Sequence, residues 1–73
     1  MNFIELNEYG EDNTPIHIHT MMITALEEAN PKKTILHLMG GQIFVISESV
    51  SEIKKKIKES EMFKLTTFNQ ESK

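Results

Sequence analysis

The sequence predicts a small α+β domain: an antiparallel sheet of four or five strands, followed by a C-terminal helix packed on one face. Three observations predict it. The segment IHIH sets Ile16 and Ile18 against His17 and His19, and a period of two marks a half-buried strand. The segments KTILHLM and QIFVIS flank Gly40-Gly41, the pattern of a hairpin whose turn needs positive φ. The segment SVSEIKKKIKESE places Val50, Ile53 and Ile57 at helical spacing behind a Ser-x-x-Glu start, a capping box followed by one apolar stripe.

Taken in order, NFIEL has the character of a short first strand, and NEYGEDNTP is rich in turn residues. IHIH is the second strand. The segment MMITALEEAN fits two patterns. Met22, Ala25, Leu26 and Ala29 suit a helix, whereas Ile23, Ala25 and Glu27 alternate as a strand would. Its shortness and the Asn30-Pro31 turn signal favour a turn at Thr20-Met21 followed by a strand. The glycine-linked segments then form a tight two-residue hairpin, with Leu36 and Leu38 on one face and Ile35, His37 and Met39 on the other. In the helix, Lys54, Lys55, Lys56 and Lys58 cover the solvent side, where they complement the negative end of the helix dipole. Residues 1–61 thus read as one sheet-plus-helix domain. Residues 62–73 read as a tail that is a last strand, a partner-docking segment or a frayed end.

Seventy-three residues make one domain with a marginal core, because a chain this short buries only about 60% of its unfolded surface. It contains no cysteine, which removes disulfides, cysteine-ligated zinc and thiol catalysis. Eight lysines against eleven acidic residues leave a net charge of −3, unlike the basic balance of a general nucleic-acid binder. The start MNFIELNEYGED is acidic and lacks the apolar core of a signal peptide. The longest apolar runs, such as IFVI, are too short to span a bilayer. A cytoplasmic protein without a membrane span is expected.

The hairpin carries apolar residues on both faces. Leu36, Leu38, Ile43 and Val45 make one candidate set; Ile35, Met39, Phe44 and Ile46 make another, and the cross-strand pairing is open. One narrow helical stripe covers one side only. The second side must meet the tail, through Phe63 and Leu65, or another chain, since each large apolar side chain buried is worth roughly 1.5–3 kcal/mol. Self-association or binding of a protein partner is therefore expected, with Ile35, Met39, Phe44, Ile46, Phe63 and Leu65 as interface residues.

Candidate chemistry is sparse. His17 and His19 point the same way on a strand, with Cβ atoms roughly 7 Å apart. With His37 from a neighbouring strand they would make a three-histidine zinc site with an open position. A polar strand face explains the same alternation without any metal. Glu27 and Glu28 point to opposite faces and cannot easily act as a catalytic pair. EYGEDN lacks the spaced ligands of a calcium loop. Ser47, Ser49 and Ser51 lie in no nucleophile elbow, and Gly40-Gly41 is no phosphate loop. Lys54, Lys55 and Lys58 offer positive charge for a small anionic ligand such as a nucleotide, held at an oligomer interface. No enzyme activity and no cofactor are expected.

From Ile16 to Lys58 the chain resembles the flagellar FlbD family, which includes the swarming-motility SwrD proteins. The resemblance lies in Ile23, Glu27 and Glu28, then Thr34 to Leu38, Gly41, Phe44-Val45-Ile46, Glu48-Ser49-Val50, Glu52 and Ile57. The ESV-x-E block after a glycine-turn strand is its most specific part. The chain departs from the family in its longer first turn, NEYGEDNTP, and in the tail beyond Glu61. The resemblance implies no catalytic residues and a role in support of motor function through protein contacts. The competing expectation is an oligomer that sequesters an anionic ligand, as a phage-borne inhibitor would.

Overall fold

The computed structural model describes the backbone of residues 2–71 and the side chains of residues 2–61. The order is β1 (Phe3–Asn7), β2 (Pro15–His19), a 3₁₀ turn (Thr20–Met22), β3 (Ile23–Asn30), β4 (Lys33–Leu38), β5 (Ile43–Ile46) and α1 (Val50–Glu71). This is the small α+β fold expected, with five strands.

β1 and β2 form an antiparallel hairpin in which Ile4 faces Ile18 and Leu6 faces Ile16. β3, β4 and β5 form an antiparallel meander. The two sheets meet where β1 runs on beside β5. Glu8 bridges Ile46, the Tyr9 N–H donates to the Val45 carbonyl at 2.8 Å, and the Ser47 N–H donates to the Asn7 carbonyl at 2.9 Å. The 3₁₀ turn ties both sheets: the Thr20 N–H donates to the Asn2 carbonyl, and the Met39 N–H to the Met22 carbonyl. Residues 20–30 thus form a short turn and a strand. Leu26, packed against the core, alternates there with exposed Ala25 and Glu27, and Asn30-Pro31 supplies the following turn.

The core is one cluster of Ile4, Leu6, Ile18, Leu36, Leu38, Ile46 and Ile53, with Ile16, Ile23, Leu26, Phe44 and Ile57 against it. Of the expected stripe, Ile53 is fully buried and Ile57 packs beside it, whereas Val50 is half-buried and lies outside the cluster. The capping box forms in both directions. The Ser49 N–H donates to Glu52 Oε1 at 2.9 Å, and the Glu52 N–H donates to Ser49 Oγ at 3.1 Å. The bond from the Ser49 N–H, then that from its hydroxyl, holds the Glu52 carboxyl below its ordinary pKa, with help from Lys56 and against a small desolvation cost.

The structure corrects two expectations. The helix does not stop near Glu61; it continues to Glu71, so residues 62–71 are not a strand. From Ser49 onward the sequence offers no Gly or Pro to end a helix. Thr66 and Thr67 cost only a few tenths of a kcal/mol each in a helix already nucleated. The second correction is the hairpin register. His37 pairs Ile43, Leu36 pairs Phe44 and Thr34 pairs Ile46. Leu38 N–H donates to the Gln42 carbonyl at 2.9 Å, and Gly41 N–H to the Leu38 carbonyl at 3.2 Å. The turn therefore closes around residues 39–41, three residues rather than two, with Gly40 at φ 88° and Gly41 at φ 87°. One extra loop residue slips the register by one, which exchanges the faces of every β5 side chain. Phe44 and Ile46 consequently point inward, and Ile43 and Val45 point outward.

Candidate functional site

The most distinctive surface is the outer face of the β3–β4–β5 sheet. Along β4, Thr34, Leu36 and Leu38 are buried while Lys33, Ile35 and His37 are half-buried, so the alternation of Cβ directions divides the strand into two faces. The register places Val45 across from Ile35 and Ile43 across from His37 on the outer side. Ala25 lies across from His37, and Glu27 across from Ile35. Ile43 is 58% exposed, Met39 55% and Val45 37%. The strip continues onto the end of β1, where Tyr9 is exposed and the Lys33 ammonium lies 4.9 Å from the centre of its ring. Among the described residues no element packs on this face. The helix packs with its Ile53 on the core side.

Of the expected interface residues, Ile35 and Met39 lie on this face. Phe44 and Ile46 belong to the core side instead, for the register reason above. Phe63 and Leu65 lie outside the residues whose side chains are described. Ile43, Val45 and Tyr9 complete the strip. The signal for Ile43 and Val45 was the turn: Met39-Gly-Gly-Gln closes with either two or three residues, and only the odd count turns them outward.

The three histidines are not brought together. His17 and His19 do share the outer side of the β1–β2 hairpin, but each has a local partner. His17 Nε2 lies 3.3 Å from Glu5 Oε1 on the facing strand. His19 Nδ1 accepts from the Met21 N–H at 3.2 Å and caps the 3₁₀ turn. Its ring meets Phe3 edge-on at 5.1 Å. His37 is in the other sheet, 3.2 Å from Glu27. Among the described residues, no group of three His, Cys, Asp or Glu side chains is placed to hold a metal ion.

The lysines of the helix also fail to converge. Lys54, Lys55 and Lys58 are exposed. Lys54 borders an open cleft shared with Glu28, Pro31, Ser49, Val50 and Ser51. A larger open cleft of about 590 Å³ lies at the end of the outer strip, lined by Tyr9, Gly10, Glu11, Asn13, Lys32 and Ser47. It holds one lysine and one glutamate, so no net charge selects an anion there.

Glu48 has a structural task. Its Oε1 accepts from the Asn7 N–H at 3.0 Å, its Oε2 lies 3.4 Å from Lys56 Nζ, and its carbonyl accepts from buried Thr34 Oγ1 at 2.7 Å. Lys56 Nζ also donates to the Glu5 carbonyl at 2.7 Å. These bonds fasten strand exit, helix start and β1 together. Thr34 is the one buried polar residue among those described, and its hydroxyl is satisfied by this link. Among the described residues, the two histidine–carboxylate pairs, His17–Glu5 and His37–Glu27, lie on exposed strand faces, and the most distinctive feature is the apolar strip. Comparison of the chain with family models, with curated proteins and with solved structures found no match to any of them.

Proposed function

We propose that this chain is a small, non-catalytic interaction module that works in the cytoplasm through protein contacts and self-association, in the manner its resemblance to the FlbD family suggests. The observation that carries the reading is the outer sheet face: Ile43, Met39 and Val45 stand exposed beside half-buried Ile35 on strands whose other side is a complete core. A lone exposed apolar residue needs no explanation, but a contiguous patch on a sheet marks an interaction surface or an aggregation hazard. The clefts bordering this face among the described residues are open ones, unlike the enclosed, mostly apolar setting usual for a small-molecule site. No helix among the described residues is long and apolar enough to cross a membrane.

Size-exclusion chromatography with light scattering tests this. The wild-type chain should exceed the monomer mass at tens of micromolar, and Val45→Lys should return it to a monomer with an unchanged circular-dichroism spectrum. A wild-type chain that stays monomeric at the highest soluble concentration would refute the self-association part.

A further inference from the structure

Two methionines and a histidine share the corner of the sheet where the chain enters β3. Ile23 pairs Leu38 across the β3–β4 ladder, and both pack toward the core. Their neighbours Met22 and Met39 are therefore turned to the opposite face, where they are 42% and 55% exposed. The Met39 N–H donates to the Met22 carbonyl at 2.8 Å. This bond makes the two residues the next pair of the ladder, side by side with Cα atoms ~5.5 Å apart. His37 precedes Met39 by two residues on β4 and is half-buried on the same face, one same-face step of roughly 7 Å away.

The histidine is held in one tautomer. Its Nε2 lies 3.2 Å from Glu27 Oε1. An ionised carboxylate only accepts, so in the neutral ring the proton sits on Nε2 and the lone pair on Nδ1. Among the described residues, no hydrogen bond uses that Nδ1. A carboxylate behind an imidazole is the partner that fixes the tautomer and ring orientation of a metal-binding histidine. The other histidine–carboxylate pair, His17–Glu5, has no methionine beside it in its ladder.

We infer that Met22, Met39 and His37 form a binding site for a soft monovalent metal ion, Cu(I), with two thioether sulfurs and the His37 Nδ1 as ligands and Glu27 orienting the imidazole. The donor set makes the selection. Thioether sulfur prefers soft ions, whereas magnesium and calcium take oxygen ligands. Zinc is held by thiolate, imidazole and carboxylate, and no three such side chains are placed together among the described residues. All three proposed ligands are neutral, so the Glu27 carboxylate balances the single positive charge of the ion. Methionine has three rotatable bonds and a polarisable sulfur, which lets both exposed side chains close on one ion without moving the strands. The site stands or falls independently of the self-association reading.

Anaerobic titration of the full chain with Cu(I), in competition with a chromophoric Cu(I) chelator, tests it. Wild type should bind one ion, with the methyl resonances of Met22 and Met39 and the His37 ring nitrogens shifting together. Met22→Leu, Met39→Leu and His37→Gln should each weaken binding by about tenfold or more, and so should Glu27→Ala. Glu27→Gln, which still accepts from Nε2, should recover part of that loss. Met21→Leu should bind as wild type. These variants keep side-chain volume or lie on exposed positions, and their circular-dichroism spectra should match wild type. Absence of one-to-one binding at micromolar protein would overturn the site. Binding that survives both Met22→Leu and Met39→Leu, or that His37→Gln leaves unchanged, would also overturn it, because the ion would then be held elsewhere.

Discussion

The inner and outer faces of the β3–β4–β5 sheet come from the same strands and are similarly apolar, yet only one is a core. Inside, Leu36, Leu38 and Ile46 join Leu6 of the first hairpin and Ile53 of the helix in a single buried cluster. Outside, Ile43, Met39 and Val45 remain exposed. What differs is the cover. Among the described residues, the first hairpin and one stripe of the helix seal one side of the three-stranded sheet, and the other side stays exposed. The β3 edge is treated differently again: register irregularities at Ile23–Ala25 and Glu28–Asn30 interrupt the exposed ladder, a common way to blunt an edge. The protein protects its edge and leaves its face open.

The sharpest test of this contrast is truncation on the two sides. Leu36→Ala or Ile53→Ala should cost about 2–5 kcal/mol in urea unfolding, because each leaves a cavity in a fully packed site; that is much of the stability a small domain has. Thr34→Val keeps the shape of the inner face but removes the hydroxyl that satisfies the Glu48 carbonyl. It should cost about 1–3 kcal/mol, the usual result of leaving a buried acceptor unpaired. Ser49→Ala removes the cap that starts the helix cover and should cost about 1 kcal/mol.

On the outer face, Ile43→Thr should change unfolding by no more than about 0.5 kcal/mol at concentrations too low for association. A cost near that of Leu36→Ala would erase the distinction between the faces. The smallest effect concerns pH. The Glu52 carboxyl is held below its ordinary value by the Ser49 N–H. Its contribution is fully present above the unfolded-state value and is lost as the pH falls through the lower folded one. Wild type should therefore lose more stability on acidification than Glu52→Gln, measured as the difference in thermal midpoint between neutral and acidic buffer.

Much of the fold was legible because its signals are local. The strict alternation of Ile16 to His19, the spacing of Val50, Ile53 and Ile57, and the Ser49–Glu52 box each specify an element from neighbouring residues alone. The misassigned faces of Phe44 and Ile46 came from a quantity that is not local. Residue types around Gly40-Gly41 allow an even or an odd turn, and the choice is made by how the strands pack on Leu6 and Ile53. The length of the helix was obscured by the weak two-residue alternation of Phe63, Leu65 and Thr67, which a helix also accommodates. The candidate site was half legible: Ile35 and Met39 follow from β4 itself, whereas Ile43, Val45 and Tyr9 depend on register. The histidine reading failed for a related reason. Two histidines on one strand do share a side, but whether a third joins them depends on which sheet it enters, and His37 enters the other one.

The central claim, that the outer strip is where this chain makes contact, is tested most directly by amide chemical shifts recorded across a dilution series of the isotope-labelled wild-type chain near pH 6. Concentration-dependent shifts should cluster at Ile35, His37, Ile43 and Val45, and those of Ile4, Leu6 and Ile53 should stay fixed. Spectra unchanged by concentration, or shifts confined to the β1–β2 hairpin, would contradict it.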